Sequence, residues 1–197
     1  MERAKKEAKY NRYNKLFRFS LILETNIKLF YSVFDLDYTL WPYFVDCHVT
    51  PPIIKKKEHH REHVVDSEGF LIRGYDDVTK ILKTLKEHCL EDHQHLAIAS
   101  RSTTAKLAME SINLLGWEKY FSSFQIYPTN KIRHMNTIKD ELKFEKFEDV
   151  LFFDDDYSNI KSTSSIGVFA YEVNQNTGVD VKTIMHALEQ FANTTTK

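Results

Sequence analysis

Charged and hydroxyl-bearing residues follow short apolar runs in this sequence, and their types suit the transfer of a phosphoryl group. Four such groups occur along the chain. In order, they are Asp35 with Asp37, Ser100 with Arg101, Lys131, and Asp154 with Asp155 and Asp156. Each group is weak evidence by itself. Their recurrence after four successive apolar runs makes coincidence a poor explanation and indicates one shared site.

Asp35 is the candidate nucleophile. A phosphomonoester is doubly charged and resists attack by an anion, so a site must hold the carboxylate in line with phosphorus and cancel the repulsion. A covalent aspartyl-phosphate on Asp35 would divide a difficult hydrolysis into two steps. Asp37, two residues further on, is expected to protonate the departing oxygen and later to deprotonate the water that cleaves the intermediate.

The carboxylates also predict a metal site. Mg²⁺ takes hard oxygen ligands and tolerates water in its coordination shell. The predicted ligands are Asp35, the backbone carbonyl of Asp37, and Asp154, with Asp155 helping directly or through water. Adjacent carboxylates at a strand end are costly without a cation, which favours a metal site over a helix cap or a turn. Asp156 is instead expected to cap the next helix.

Three residues are candidates for holding the phosphate. Ser100 offers a hydroxyl and a backbone N–H to a phosphoryl oxygen. Lys131 adds a positive charge between the nucleophile and the phosphate, which stabilises the charge that develops in the transition state. Arg101 is the third candidate, and a purely structural salt bridge is the alternative for it.

Alternating patterns predict the elements that position these groups. Short apolar runs predict strands, and apolar residues at i, i+3, i+4 and i+7 predict helices. The predicted strands are Leu29–Phe34, His95–Ser100, Phe124–Tyr127, Val150–Phe153 and Val168–Tyr171; the predicted helix faces are Val78, Ile81, Leu82 and Leu85, then Leu107, Ala108, Ile112 and Leu115, then Val181, Ile184, Leu188 and Phe191. The alternation predicts an α/β fold with a parallel sheet between helices, where ligands lie beyond the carboxyl ends of the strands.

Breaks in this pattern define the domain organisation. Residues 1–28 form a basic N-terminal extension, expected to be helical or flexible, and residues 29–197 form one domain. Within that domain, residues 41–74 hold several prolines and a Lys/His-rich stretch. This segment is interpreted as a flap over the active site, because it is too small for a separate cap domain.

Parts of the flap allow a closer interpretation. A turn at Asp66–Gly69 predicts a hairpin that pairs Val64–Val65 with Phe70–Ile72. Three histidines, His59, His60 and His63, suggest zinc, but with no cysteine partner or compact spacing a solvated loop is the better interpretation. Three aromatic residues either line the pocket mouth or pack beneath the flap, namely Trp41, Tyr43 and Phe44.

Composition limits the class of protein. The 197 residues, 42% of them apolar, suffice for one well-cored domain. A net charge of −1 gives no global field that favours nucleic acid. No apolar run reaches the roughly 18 residues of a membrane helix. The two cysteines make no disulfide framework, so we expect a cytoplasmic protein. We expect no nucleic acid or membrane partner; the sequence does not determine the oligomeric state, and a monomer is favoured.

The motifs VFDLDYTLWPYFVD, ASRS, YPTNK and FFDDD resemble those of the haloacid dehalogenase (HAD) superfamily and, more narrowly, of its magnesium-dependent phosphatase-1 group. The resemblance spans most of the chain after the basic extension. It implies a Rossmann-like core with a minimal flap, and Mg²⁺-dependent hydrolysis of phosphomonoesters on small molecules or phosphoproteins, with phosphotyrosine and sugar phosphates both suggested. It assigns the nucleophile to Asp35, the acid/base to Asp37, the phosphate-binding pair to Ser100 and Arg101, the lysine to Lys131 and the metal carboxylate to Asp154.

Three alternative functions share parts of this pattern. A two-component receiver domain also uses a phosphorylated Asp, an acidic pair and a Lys. It places the acidic pair after its first strand and the phospho-acceptor after its third, whereas here the Asp-x-Asp pair comes first and the acidic cluster last. A catalytically silent binding module is disfavoured because neither the nucleophile nor the acid/base is lost. Phosphotransfer to an acceptor other than water is compatible with every motif.

Overall fold

The computed structural model describes residues 31–58, 61–87 and 95–195. The predicted basic extension, residues 1–28, lies outside the described residues, as does the predicted start of the first strand at Leu29. Within the described residues, no helix is both long and apolar enough to cross a membrane.

The described part of the chain forms eight strands and six α-helices. The strands are β1 Tyr31–Phe34, β2 Ile54–Glu58, β3 Arg61–Val65, β4 Leu71–Ile72, β5 His95–Ser100, β6 Ser123–Ile126, β7 Val150–Asp154 and β8 Phe169–Glu172. The helices are α1 Val45–His48, α2 Val78–Glu87, α3 Ala105–Leu114, α4 Lys131–Leu142, α5 Tyr157–Ser164 and α6 Val181–Thr195, with 3₁₀ turns at Glu118–Tyr120 and Phe147–Asp149.

Five parallel strands form the central sheet, in the order β6-β5-β1-β7-β8. β1 occupies the centre and pairs with β5 on one side and with β7 on the other. All four of its residues are buried, as expected for a parallel strand covered on both faces. The predicted α/β fold, with a central parallel sheet between helices, is therefore confirmed.

Successive residues of the central strands pack into two separate cores, because side chains alternate between the faces of a sheet. Phe34 and Ile98 belong to a large core that also contains the apolar faces of α2, α3 and α6. Val33 and Ala97 belong to a smaller core with α4. The predicted apolar faces of α2 and α6 are confirmed, and that of α3 is confirmed in part, since Leu115 follows the end of that helix.

Helices α4 and α5 were not predicted by an apolar face, because each buries polar side chains. The buried residues of α4 are Lys131, His134, Met135 and Ile138. Their spacing is helical, but the first two are polar. Helix α5 buries Asn159 and Thr163. A search for apolar periodicity does not detect a helix whose inward face is polar.

A second, three-stranded antiparallel sheet contains β2, β3 and β4 in that order. The predicted hairpin is confirmed by the pairs Val64 with Ile72 and Val65 with Leu71. The solvated-loop interpretation is wrong for His63, which lies in β3 opposite Lys56, whereas His59 and His60 lie outside the described residues. All five residues of β2 are exposed, so this edge strand carries no hydrophobic alternation that could have revealed it.

Gly74, just after the small sheet, lies where no side chain fits. A Cβ atom there would be 2.5 Å from Cη2 and Cζ2 of Trp117 and 3.1 Å from the carbonyl oxygen of Leu40. Trp117 is itself buried, and its Nε1 donates to Thr79 Oγ1 at 2.9 Å. The indole therefore cannot retreat without losing a hydrogen bond.

We expect Gly74→Ala to lower the free energy of unfolding by about 1–3 kcal/mol, the usual cost of overpacking. Trp117→Phe removes the atoms that the new methyl group would strike. The free energy of unfolding lost in the double variant should then be smaller than the sum of the losses in the two single variants. Urea denaturation of the four proteins measures the coupling, and simple additivity would contradict the proposed clash.

Candidate active site

The predicted site residues meet at the carboxyl end of the central sheet. Phe34 and Phe153 are paired across β1 and β7, so Asp35 and Asp154 are the next residues on neighbouring strands. The backbone N–H of Asp35 donates to the carbonyl oxygen of Phe153 at 2.9 Å, which extends the pairing to the candidate nucleophile. Ser100 ends β5, on the other side of β1. The sheet topology thus brings distant parts of the sequence together.

A buried ammonium group lies between the two central carboxylates. Lys131 Nζ is 2.5 Å from Asp35 Oδ1 and 3.0 Å from Asp154 Oδ2, and it also donates to the carbonyl oxygen of Ala99. Lys131 is 1% exposed and Asp154 is fully buried. An uncompensated charge at such depth would be very costly, so each of these three ions depends on the others.

Three carboxylates form a cluster that suits a hard divalent cation. Asp35, Asp154 and Asp155 each offer one oxygen, and these atoms all lie within 4.8 Å of one another. Burial, and secondly the charge of Asp154, raises the pKa of Asp35 against the opposing effect of Lys131. Burial also raises the pKa of Asp155. Three carboxylates against one ammonium leave excess negative charge, which a divalent cation would neutralise, so the donor set fits Mg²⁺.

Asp37 lies apart from this cluster and has different partners. Its Oδ1 accepts a hydrogen bond of 2.6 Å from Trp41 Nε1 and one of 3.2 Å from the backbone N–H of Val45. Burial raises the pKa of Asp37 to about 6, and these two hydrogen bonds oppose that rise. A carboxyl group of that pKa is suited to giving and taking a proton near neutral pH. The predicted contribution of its backbone carbonyl to the metal site stays a prediction.

A tight turn after β1 places both aspartates. The carbonyl oxygen of Leu36 accepts from the backbone N–H groups of Thr39, Leu40 and Trp41 at 3.2, 2.8 and 3.2 Å. Tyr38 takes a positive φ of 53° within this turn. This turn brings Trp41 back beside Asp37, so that the indole N–H of Trp41 reaches the Asp37 carboxylate.

The three consecutive aspartates at the end of β7, Asp154–Asp156, have different hydrogen-bond partners. Asp154 Oδ1 accepts from the backbone N–H of Asp156 at 2.8 Å and from Asn159 Nδ2 at 3.0 Å. Asp155 Oδ2 accepts from Gln175 Nε2 at 2.8 Å. Asp156 directly precedes α5 and accepts from the backbone N–H of Ser158, so its predicted role as a helix cap is confirmed.

The phosphate-binding candidates line the same cleft as the carboxylates. Ser100 is buried at the strand end, and its Oγ accepts from the backbone N–H of Ser102 at 3.3 Å. Arg101 is half exposed, with Nη1 3.9 Å from Asp156 Oδ2. The salt bridge anticipated for Arg101 is therefore present. Its contact with substrate stays a prediction, as does that of Ser100.

The cleft has a volume of about 880 Å³. From the described part of the predicted flap, only Phe44 and Asp46 line it, while β2, β3 and β4 border a separate groove beside α3. Phe44 is 45% exposed, whereas Trp41 and Tyr43 are buried. Phe44 therefore lines the mouth of the pocket, whereas Trp41 and Tyr43 are packed in the interior.

Three supporting residues were missed from the sequence. Trp41, Asn159 and Gln175 donate hydrogen bonds to Asp37, Asp154 and Asp155 respectively. The position of Trp41 four residues after Asp37 was a usable signal once a turn was assumed there. Gln175 lies 20 residues after its partner, and only the tertiary structure brings the two together.

Comparison with known proteins gives a family. The family model described as Acid Phosphatase matches residues 30–194. The chain belongs to this family. It is 36% identical to human magnesium-dependent phosphatase 1 over 161 residues, which cover 82% of this chain and 86% of the human protein. A HAD-like hydrolase superfamily protein from Schizosaccharomyces pombe is 31% identical, with 73% of this chain and 86% of that protein covered. The resemblance to the magnesium-dependent phosphatase-1 group is thus confirmed.

Solved structures support the fold of this family member. The N-terminal part of a Bacteroides fragilis protein, containing a phosphatase domain complexed with Mg, superposes with a TM-score of 0.54 at 17% identity, covering 85% of this chain and 41% of that one. An uncharacterized Listeria monocytogenes protein gives a TM-score of 0.51 at 12% identity, covering 77% of this chain and 83% of its own. At such low identities the likeness shows the fold alone.

His134, one turn after Lys131 in α4, adds a buried titratable group beneath the site. Its Nε2 lies 3.0 Å from the carbonyl oxygen of Tyr127, so this nitrogen carries the donated proton, and Nδ1 has no hydrogen-bond partner among the described residues. Burial, and then the charge of Lys131, lowers the pKa of His134 from 6.5 to about 4. The folded protein therefore holds a neutral imidazole.

We expect acid to destabilise the protein through His134. Its folded pKa is lower than its unfolded pKa, so the stability it contributes is complete above about pH 6.5 and is lost as the pH falls toward 4. The loss amounts to about 3 kcal/mol at most, at 1.36 kcal/mol per pKa unit. His134→Gln keeps a donor for Tyr127 and does not titrate, so its unfolding free energy should decline less over this range. Exposed His186→Gln is the control, and equal slopes in wild type and His134→Gln would refute the expectation.

Proposed function

We propose that this chain is a magnesium-dependent phosphatase that hydrolyses phosphomonoesters through an aspartyl-phosphate on Asp35. The observation that carries the proposal is the cluster of three carboxylate oxygens within 4.8 Å, with the Lys131 ammonium bound to two of those carboxylates. It combines a nucleophile, a cation and a metal-binding set at one sheet edge. The 36% identity to a protein named magnesium-dependent phosphatase 1 supports the same activity.

Mg²⁺ held by Asp35, Asp154 and Asp155 would supply the positive charge that offsets the repulsion between the nucleophile and the phosphate. The remaining work falls to the side chains. The Lys131 ammonium, fixed 2.5 Å from Asp35 Oδ1, orients that carboxylate and stabilises the charge that builds on the phosphoryl oxygens. Ser100, which also lines the cleft, donates its hydroxyl to another of those oxygens.

In the first step, a carboxylate oxygen of Asp35 forms a bond to phosphorus while the bond to the leaving oxygen breaks. Asp37 begins protonated and gives its proton to that leaving oxygen, which departs as an alcohol or phenol. In the second step, the Asp37 carboxylate takes a proton from water as the water oxygen attacks phosphorus. The bond to Asp35 then breaks, phosphate leaves, and both carboxyl groups return to their starting states.

Two alternatives predict different products. A silent binding module would turn over no substrate, although the nucleophile and the acid/base both line the cleft. A phosphotransferase would release the leaving group without an equal amount of inorganic phosphate. Equal release of p-nitrophenol and inorganic phosphate from p-nitrophenyl phosphate therefore favours hydrolysis over transfer.

Asp35→Asn should abolish the activity. We expect p-nitrophenyl phosphate turnover by the wild type with Mg²⁺, none with EDTA, and a loss of about 10⁴–10⁶-fold in kcat for the variant, the range found when one residue of a catalytic triad is removed. Asp76→Asn makes the same change at an exposed carboxylate outside the cleft and should keep full activity. Turnover by Asp35→Asn at the wild-type rate would refute the covalent mechanism.

For the substrate, we propose phosphotyrosine ahead of a sugar phosphate. Two exposed aromatic side chains line the cleft, Phe44 at 45% and Tyr157 at 65% exposure. Aromatic rings favour stacked or edge-to-face contacts with another ring. The leaving group of phosphotyrosine is such a ring.

Phe44→Ala should raise KM for a phosphotyrosine peptide by about 3–10-fold, corresponding to one lost aromatic contact of roughly 0.5–1.5 kcal/mol. Its KM for a sugar phosphate should change less. Steady-state kinetics on both substrates measure the ratio. An equal or larger effect on the sugar phosphate, together with a higher wild-type kcat/KM for it, would reverse the assignment.

A further inference from the structure

Trp41 has a contact that its burial alone does not explain. The side chain is fully buried, and its indole Nε1 donates a hydrogen bond of 2.6 Å to Asp37 Oδ1. The backbone N–H of Val45 donates to the same oxygen at 3.2 Å. Among the described residues, no group donates to Asp37 Oδ2, and Asp37 lines the cleft. One carboxylate oxygen is thus held by the protein, and the other is left for chemistry.

The indole is immobilised by its neighbours. It stacks on Tyr43 with ring centroids 5.4 Å apart and planes inclined by 4°, and on Trp117 at 6.2 Å and 15°. Trp117 is fixed in turn by its hydrogen bond to Thr79 in α2. A fully buried side chain that stacks on two nearly parallel rings is restrained from rotating away, so its N–H stays directed at Asp37.

We propose that Trp41 is a positioning residue that fixes Asp37 for proton transfer to and from the reacting oxygen. This inference rests on the role of Asp37 as acid/base in the proposed function. With Oδ1 bound to Nε1–H, the transferable proton resides on Oδ2. When Asp37 gives up that proton, the O–H bond to Oδ2 breaks and a carboxylate forms. The indole N–H, already bound, then stabilises the new negative charge without moving.

The chemistry distinguishes this role from simple packing. A phenyl ring would fill much of the same space between Tyr43 and Trp117 but could not donate to Asp37. If Trp41 served only the core, its loss would slow the hydrolysis of all substrates alike. If it positions the acid, its loss would be felt most where the leaving oxygen most needs a proton.

The test compares leaving groups. Wild type, Trp41→Phe and Asp37→Asn are assayed with Mg²⁺ on p-nitrophenyl phosphate, whose leaving group departs readily as an anion, and on an alkyl phosphate, whose leaving group requires protonation. For Trp41→Phe we expect kcat/KM on the alkyl phosphate to fall by about tenfold or more, the scale expected for a lost hydrogen bond to a charged group. The quantity compared is kcat/KM because it reports the steps up to departure of the leaving group and not the later hydrolysis of the aspartyl-phosphate, which is common to both substrates. On p-nitrophenyl phosphate the fall should be under about threefold, and the Mg²⁺ dissociation constant should be unchanged, since Trp41 contacts none of the clustered carboxylates.

A matched control is Ile184→Val, which trims a buried side chain of the same core and leaves Asp37, Trp41 and the two rings stacked on Trp41 unchanged. It should reduce both rates equally. If Trp41→Phe does not fold, replacement of Trp41 by benzothienylalanine keeps the bicyclic shape and removes only the N–H. A uniform loss across leaving groups, for whichever of these two variants is folded, would overturn the proposal.

The Asp37→Asn variant distinguishes failure of the positioning role of Trp41 from failure of the acid/base role of Asp37. A strong leaving-group dependence in Asp37→Asn with none in the Trp41 variant refutes the positioning role and leaves the proposed mechanism standing. No leaving-group dependence of kcat/KM in Asp37→Asn refutes the assignment of Asp37 as the acid that protonates the leaving oxygen, and the proposal for Trp41 falls with it. Dependence in both variants, larger for Asp37→Asn, supports both.

Discussion

The buried ion cluster around Lys131 is the constraint on which the rest of the structure depends. An ammonium group that is 1% exposed is tolerable only because Asp35 and Asp154 lie 2.5 and 3.0 Å away. Losing one partner of a buried ion pair typically costs about 3–5 kcal/mol, so neither strand can shift independently. The adjacency of β1 and β7 is therefore enforced by charge as well as by backbone hydrogen bonds. The same cluster is the proposed catalytic centre, so here stability and function share their residues.

The position of Lys131 in α4 sharpens this constraint. It is the first residue of the helix, where a cation is opposed by the positive end of the helix dipole. Asn130 caps that end by accepting from the backbone N–H of Arg133 at 2.9 Å. The helix terminus therefore adds its positive potential to that of Lys131, whose ammonium lies beside Asp35, the proposed nucleophile. This arrangement is unfavourable for an isolated helix and favourable for a site that receives an anion.

The elements predicted from the sequence are those whose burial is apolar. The strands before Asp35 and Asp154 were predicted because Phe34 and Phe153 belong to continuous apolar runs. The shared site was predicted because polar residues follow successive strands of one parallel sheet. Helices α4 and α5 were not predicted because their buried residues include the polar Lys131 and Asn159, which contact the carboxylates of the candidate site. Because polar side chains occupy part of the buried face of these helices, a pattern based on hydrophobicity does not detect them.

Long-range contacts account for the other differences. Strand β2 exists because it pairs with β3, and all its residues are exposed, so no property of its own side chains encodes it. Gln175 reaches Asp155 only because the chain after β8 returns to the sheet edge. Residue types can suggest which side chains do chemistry. They do not reveal which neutral groups hold those side chains in place.

The contrast between Asp35 and Asp37 shows why those neutral groups matter. The two carboxyl groups are two residues apart, and burial raises the pKa of both. Asp35 belongs to the metal-binding cluster and contacts an ammonium, so a bound cation would draw its pKa down and keep it anionic for attack. Asp37 lies outside the cluster, and its donors among the described residues are uncharged, namely the indole of Trp41 and a backbone N–H. Burial raises its pKa to about 6 against these two hydrogen bonds. The opposite roles proposed for these two like residues thus correspond to whether their partners are charged or neutral.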